Sequence, residues 1–155
     1  MSLMGTDTQN GLYALSDLLQ VDLLCHGAEN GELVVMEALN QVPFRIARVF
    51  TVRAPLDAVR GMHAHRRCAQ FLVCVRGAIE VVCDDGNETR TIVLERSDLG
   101  LLVPPSIWAQ EVYRQEDSVL VVLCDRSYEA EDYIRGYDEF KAFRASNANR
   151  NGVPT

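Results

Sequence analysis

Two histidines one residue apart, His63 and His65, are the side chains of this sequence best suited to chemistry. They lie in the run Arg60-Gly61-Met62-His63-Ala64-His65-Arg66-Arg67-Cys68-Ala69-Gln70-Phe71, and His26 is the one other histidine. In an extended strand, positions i and i+2 point to the same face, so both imidazoles enter one space. Imidazole titrates nearest neutrality, and a converging pair therefore serves either proton transfer or metal ligation.

The elements that must position this pair read as short strands. Alternation and β-branched content predict strands at residues 33–36, 44–50, 70–75, 78–83, 91–94, 99–103, 108–113 and 118–124. Asp84-Asp85-Gly86-Asn87 is a hairpin signal, and Pro104-Pro105 enforces a turn. Strands recurring every 8–12 residues or so indicate an all-β sandwich or small barrel. In the 44–50 segment Phe44, Ile46, Arg48 and Phe50 share a face. A charge on an apolar face requires a partner, which makes Arg48 either a pocket residue or an exposed strand end. His26 falls in a loop-like segment. After Cys124 the pattern changes, and Tyr133, Ile134, Tyr137 and Phe140 fall at helical spacing, predicting a closing helix over 132–143. Residues 145–155 read as a flexible tail, and residues 1–10 as a loose leader with a tag remnant before Met4.

At 155 residues, with 48% apolar and 24% charged positions, the chain fits one globular domain, assigned to residues 11–144. Its net charge of −7 argues against nucleic-acid binding. Arginines 48, 53, 60, 66, 67 and 76 nevertheless cluster around the histidines, enough for a local anion site. Five cysteines without a Cys-x-x-Cys pair suggest reduced structural thiols and a cytoplasmic location. No apolar run approaches the roughly 20 residues of a membrane span, and the start lacks a signal-peptide pattern.

His-x-His, then Gln70, then Gly77, resembles the first motif of the cupin superfamily, and the segment from Leu99 to Trp108 resembles the second. In metal-binding cupins a glutamate stands at the place of Gln70 and a third histidine at that of Ala109. Two ligands of four are thus replaced, where a functional site needs three or more. No metal and no other cofactor is expected.

A closer resemblance follows. Arg60-Gly61-Met62-His63-Ala64-His65, with Asp132-Tyr133-Ile134-Arg135 and Tyr137-Asp138-Glu139-Phe140, is similar to the sugar-nucleotide 3,4-ketoisomerases, the WxcM-like or FdtA/QdtA-type cupins. Matching runs extend over roughly residues 30–143. The resemblance implies a cupin-type double-stranded β-helix (jelly-roll barrel) with a short C-terminal α-helix. It implies isomerisation of a dTDP-4-keto-6-deoxy-hexose to its 3-keto isomer through an enediolate, for deoxy-amino sugars of surface polysaccharides. His63 and His65 are then the acid–base residues, with His63 expected as the primary base. Arg48 and Arg60 would hold diphosphate or polarise the ketone. Gln70 and Trp108 would line the pocket, Trp108 by stacking or else by ordinary core packing. Tyr133, Arg135 and Tyr137 are expected to dock the closing helix. A homodimer with exchanged N-terminal strands is the implied assembly. Phe50-Thr51 departs from the family's Tyr-Tyr, which bears on sugar specificity. The competing readings are a non-catalytic nucleotide-sugar-binding cupin and a metal-dependent cupin enzyme.

Overall fold

The computed structural model describes residues 12–148, and the expectations for residues 1–10 and for the end of the tail fall outside them. The described residues form twelve strands: β1 Leu19–Asp22, β2 Leu24–Ala28, β3 Gly31–Val35, β4 Arg48–Ala54, β5 Val59–His65, β6 Gln70–Arg76, β7 Ile79–Asp84, β8 Thr89–Leu94, β9 Leu99–Val103, β10 Trp108–Tyr113, β11 Ser118–Cys124 and β12 Tyr133–Ile134. One α-helix, α1, spans Tyr137–Ala148.

Alternation decides how the strands stack. One sheet has the order β1-β9-β6-β11-β4 and the other β12-β5-β10-β7-β8, while β2 and β3 form a separate hairpin. Leu72, Cys74, Ile79, Val81, Cys83, Leu101, Val103, Leu120 and Val122 interleave between the two large sheets and make the main core. The intervening positions Phe71, Val73, Leu102 and Leu123 face outward from the first sheet. These apolar outer positions need a cover. The segment bearing Val42, Phe44 and Ile46 supplies it, and that is why the predicted strand at 44–50 does not begin where its alternation does. Pro43 has no N–H to give a ladder, so this stretch packs its apolar residues without joining the sheet, and β4 starts at Arg48.

Two further expectations are corrected. His26 stands in β2, paired with Leu33 of β3, and is exposed rather than in a loop. The closing helix begins at Tyr137, not at residue 132, and continues past residue 145 to Ala148. Tyr133 and Ile134 instead pair with His65 and Ala64 at the open edge of β5. Satisfying an unpaired strand edge here outweighs helical spacing. Asp138 and Glu139 in the first turn of α1 suit the positive end of its dipole. The helix lies on the outer face of the second sheet, where Phe140 meets Ala64, Trp108 and Ile134.

Candidate active site

The histidine pair depends on a fault in its own strand. Along β5 and β10, Arg60 pairs with Glu111 and Gly61 with Gln110, but His63, not Met62, stands opposite Ala109. Met62 is the extra residue of a β-bulge. Both residues of the bulge adopt left-handed backbone, Gly61 at φ +77° and Met62 at φ +59°. Gly61 suits this place, since its φ is positive and a Cβ there would crowd the Ala109 carbonyl at 3.1 Å and the Glu111 carboxylate. Unbulged alternation would put Arg60 and the histidines on opposite faces. With one residue looped out, Arg60, His63 and His65 share the inward face, while Ala64 turns outward to the helix.

The two imidazoles meet edge to face with centroids 4.9 Å apart. Tyr133 completes a cluster, its ring 5.0 Å from His63 and 4.4 Å from His65. The residue before it carries the strongest contact. His65 Nδ1 lies 2.9 Å from Asp132 Oδ2, with both side chains buried. Asp132 also accepts the Arg67 backbone N–H at 2.7 Å and that of Cys68 at 3.2 Å. Burial alone would push this carboxyl up, but the His65 bond and the two N–H groups outweigh it and hold it below the ordinary carboxylate value. A carboxylate can only accept, so His65 Nδ1 carries a proton, and the neutral ring then holds its lone pair on Nε2. That Nε2 is buried and has no hydrogen-bond partner.

Around this centre stand three of the other sequence candidates. Arg48 begins β4, its Nη1 3.4 Å from the Tyr133 hydroxyl and its guanidinium over the rings of Phe50 at 4.7 Å and Tyr128 at 5.1 Å. Gln70 begins β6 and faces the Cys124 sulfur at 3.7 Å. Arg60 shares its face with Glu111, and its charge reaches that buried carboxyl. Trp108 does not join them. It packs outside the second sheet against Tyr137 at 5.4 Å and Phe140 at 5.6 Å, the core-packing alternative of the sequence reading. Tyr137 likewise docks the helix, its hydroxyl 2.8 Å from Asp84 Oδ2. Tyr133 does not: it sits on the histidines, with Arg135 4.3 Å above its ring.

Burial, and secondarily the charge of His65, lowers the His63 pKa to about 4, so this imidazole is neutral at physiological pH. Burial raises the Glu111 pKa to about 7, with Arg60 working against it. The site therefore offers a neutral histidine, an oriented histidine with a free lone pair, a phenol and two arginines. That inventory suits proton abstraction next to a carbonyl, with cations to receive the developing oxyanion. It does not suit the metal of the cupin superfamily. Gln70 gives only an amide, Ala109 gives no donor atom, and two histidines fall short of a site.

Sequence reasoning missed Asp132 as a member of the site. A two-residue strand is too short to show a period, and the carboxylate read as an ordinary first-turn acid. Nothing in the local residue pattern separates a short strand at Tyr133-Ile134 from the first turn of a helix.

The profile of a family described as WxcM-like, C-terminal (FdtA) matches residues 15–145. A TDP-4-oxo-6-deoxy-alpha-D-glucose-3,4-oxoisomerase of Aneurinibacillus thermoaerophilus is 39% identical over 116 residues, 74% of this chain and 84% of that protein. Among solved structures, QdtA, a sugar 3,4-ketoisomerase from Thermoanaerobacterium thermosaccharolyticum in complex with TDP, superposes with TM-score 0.82 at 28% identity. The match covers 86% of this chain and 98% of that one. A 3,4-ketoisomerase from Helicobacter canadensis gives TM-score 0.80 at 30% identity, over 83% of this chain and 98% of that one. The architecture is thus the cupin-like arrangement of the ketoisomerase structures, with its one C-terminal helix.

Proposed function

The chain belongs to the FdtA family of WxcM-like proteins, and from that membership we propose that the Asp132–His65 pair is the proton-transfer device of a TDP-sugar 3,4-ketoisomerase. The reaction converts a TDP-4-keto-6-deoxy-hexose to its 3-keto isomer. His65 Nε2 removes the proton from C3, the carbon next to the C4 ketone. The electron pair left on C3 becomes the double bond of an enediolate, and negative charge moves onto O4. A proton then returns at C4 while the O3 proton is lost and O3 becomes the new ketone. Atoms and charge balance with no redox partner.

The observation that carries this is the buried, unpartnered Nε2 of a histidine whose other nitrogen is fixed by a carboxylate. It favours His65 over His63 as the base. His63 has no such partner, and its pKa of about 4 leaves it a weak proton acceptor at neutral pH. His63 instead presents a neutral ring beside the reacting carbon. Arg48 and the Tyr133 hydroxyl, 3.4 Å apart, form the cationic and hydrogen-bonding side that receives the charge on O4. Arg60, exposed on the same face, is placed for the diphosphate. The substrate is a TDP-linked keto sugar, and the products serve deoxy-amino sugar and polysaccharide synthesis. No helix of the described residues is long and apolar enough to cross a membrane. The free thiols of Cys25, Cys68, Cys74, Cys83 and Cys124 suit a reducing cytoplasm. The assembly is a homodimer with exchanged N-terminal strands, supported by the exposed Leu19, Leu24 and Leu33 along β1 to β3.

The test is deuterium exchange at C3 of TDP-4-keto-6-deoxyglucose, followed by NMR. His65→Asn is expected to abolish exchange while TDP still binds, and His63→Asn to slow it less. Full exchange in His65→Asn rejects the assignment.

A further inference from the structure

We infer that the chain carries a second chemical site, an inhibitory site for a soft divalent cation such as Zn2+, formed by His65 Nδ1, Cys68 Sγ and Asp132 Oδ2. These three donor atoms lie within 4.8 Å of one another, and all three side chains are buried. The set differs from the cupin metal positions, because it joins His65 to Cys68, which is not one of those positions, and to Asp132 from outside both motifs. Nitrogen, thiolate and carboxylate are the donors zinc takes.

The local chain explains the convergence. Two residues after β5 ends, the turn at Arg67 and Cys68 wraps around the Asp132 carboxylate and donates both backbone N–H groups to it. That wrapping brings the Cys68 thiol beside the dyad. The thiol itself donates to the Ala69 carbonyl at 3.4 Å. The His65–Asp132 edge needs little movement, while the Cys68 sulfur, within 4.8 Å of both, must close to roughly 3.5 Å. His65 Nδ1 and Asp132 Oδ2 are 2.9 Å apart. Tetrahedral zinc with arms of about 2.0–2.1 Å needs them about 3.3 Å apart.

The consequence rests on the base assignment above. Binding releases the Cys68 thiol proton to solvent as the zinc–sulfur bond forms. It also takes over the Nδ1 lone pair, so the ring proton must move to Nε2. An Nε2–H donates and cannot accept, and His65 ceases to be a base. The ion inhibits by inverting the tautomer that Asp132 otherwise enforces.

Co2+ titration of the metal-free full chain gives a spectroscopic readout independent of turnover. Tetrahedral visible bands and a thiolate-to-cobalt charge-transfer band are expected, and both are lost in Cys68→Ser. Zn2+ should inhibit the wild type reversibly, with chelator restoring activity, while Cys68→Ser retains turnover and needs roughly 100-fold more zinc for the same inhibition. Cys68→Ala serves the same purpose should Ser destabilise the pocket. Absence of the charge-transfer band, or wild-type zinc sensitivity in the Cys68 variants, overturns the site. If the bands appear but C3 exchange continues unimpaired with metal bound, the site stands and the role of His65 as base falls.

Discussion

Replacing Asp132 by Asn tests the dyad most sharply, because the two side chains have nearly the same shape. Asp132 accepts three hydrogen bonds: from His65 Nδ1 and the Cys68 N–H at Oδ2, and from the Arg67 N–H at Oδ1. Asparagine has one acceptor oxygen and cannot satisfy both ends. If its oxygen stays with Arg67, its NH2 faces His65 Nδ1, which must then accept, and the ring proton moves to Nε2. If its oxygen turns to His65, the Arg67 N–H faces a donor and loses its bond, at about 1–3 kcal/mol of stability. The first orientation costs the 3.2 Å bond from the Cys68 N–H but keeps the shorter 2.7 Å bond from Arg67, and it removes the base. In the serine-protease triad an analogous exchange costs about 10⁴ in kcat through the wrong tautomer. Here we expect a loss of about 10³–10⁴ in kcat, equivalent to about 4–5.5 kcal/mol of barrier. TDP affinity should change little. The assay is the initial rate of 3-keto product formation by NMR, with calorimetric TDP binding and thermal melting as controls. A variant that folds, binds TDP and turns over within tenfold of wild type refutes the tautomer argument.

Further expectations concern the bulge, the buried titrating groups and the arginines. Gly61→Ala forces a Cβ into the Glu111 carboxylate at positive φ, so we expect about 1–3 kcal/mol of destabilisation and lost C3 exchange; a stable, active variant contradicts the bulge as the device that aligns the pair. The folded pKa of Glu111, raised by burial to about 7 from 4.5, makes its contribution full at acid pH and lost as pH rises through 7. Glu111→Gln should therefore flatten the alkaline fall in urea-unfolding stability, worth up to about 3 kcal/mol; an unchanged slope rejects the shift. His63 acts on the opposite limb. Its folded pKa, lowered by burial to about 4 from 6.5, gives stability present above pH 6.5 and lost as pH falls toward 4, a loss that His63→Asn should remove. Arg60→Ala should weaken TDP binding by about tenfold or more, and an unaltered Kd counts against its contact with diphosphate.

The sequence by itself determined the sheet content and the pairing of functional groups. Period-2 alternation marked seven of the strands that build the core, because a sheet buried on one face must alternate. The spacing of His63 and His65 survived because i and i+2 share a face in any strand. Arg48 was legible for a similar reason, as a charge on an apolar face that needs a partner. The partner itself was not legible, since Tyr133 lies 85 positions away. Tertiary structure alone decided the rest. The bulge at Gly61-Met62 turned Arg60 to the side of the histidines, against the alternation of the intact strand. The edge of β5 drew Tyr133 and Ile134 out of a helix, delivering Asp132 to His65 across 67 positions. The same outer face took Trp108 away from the pocket. In each case the deciding term was the hydrogen bonding of an open strand edge or the covering of an apolar face. These depend on which segments meet in space, and local residue order does not encode that meeting.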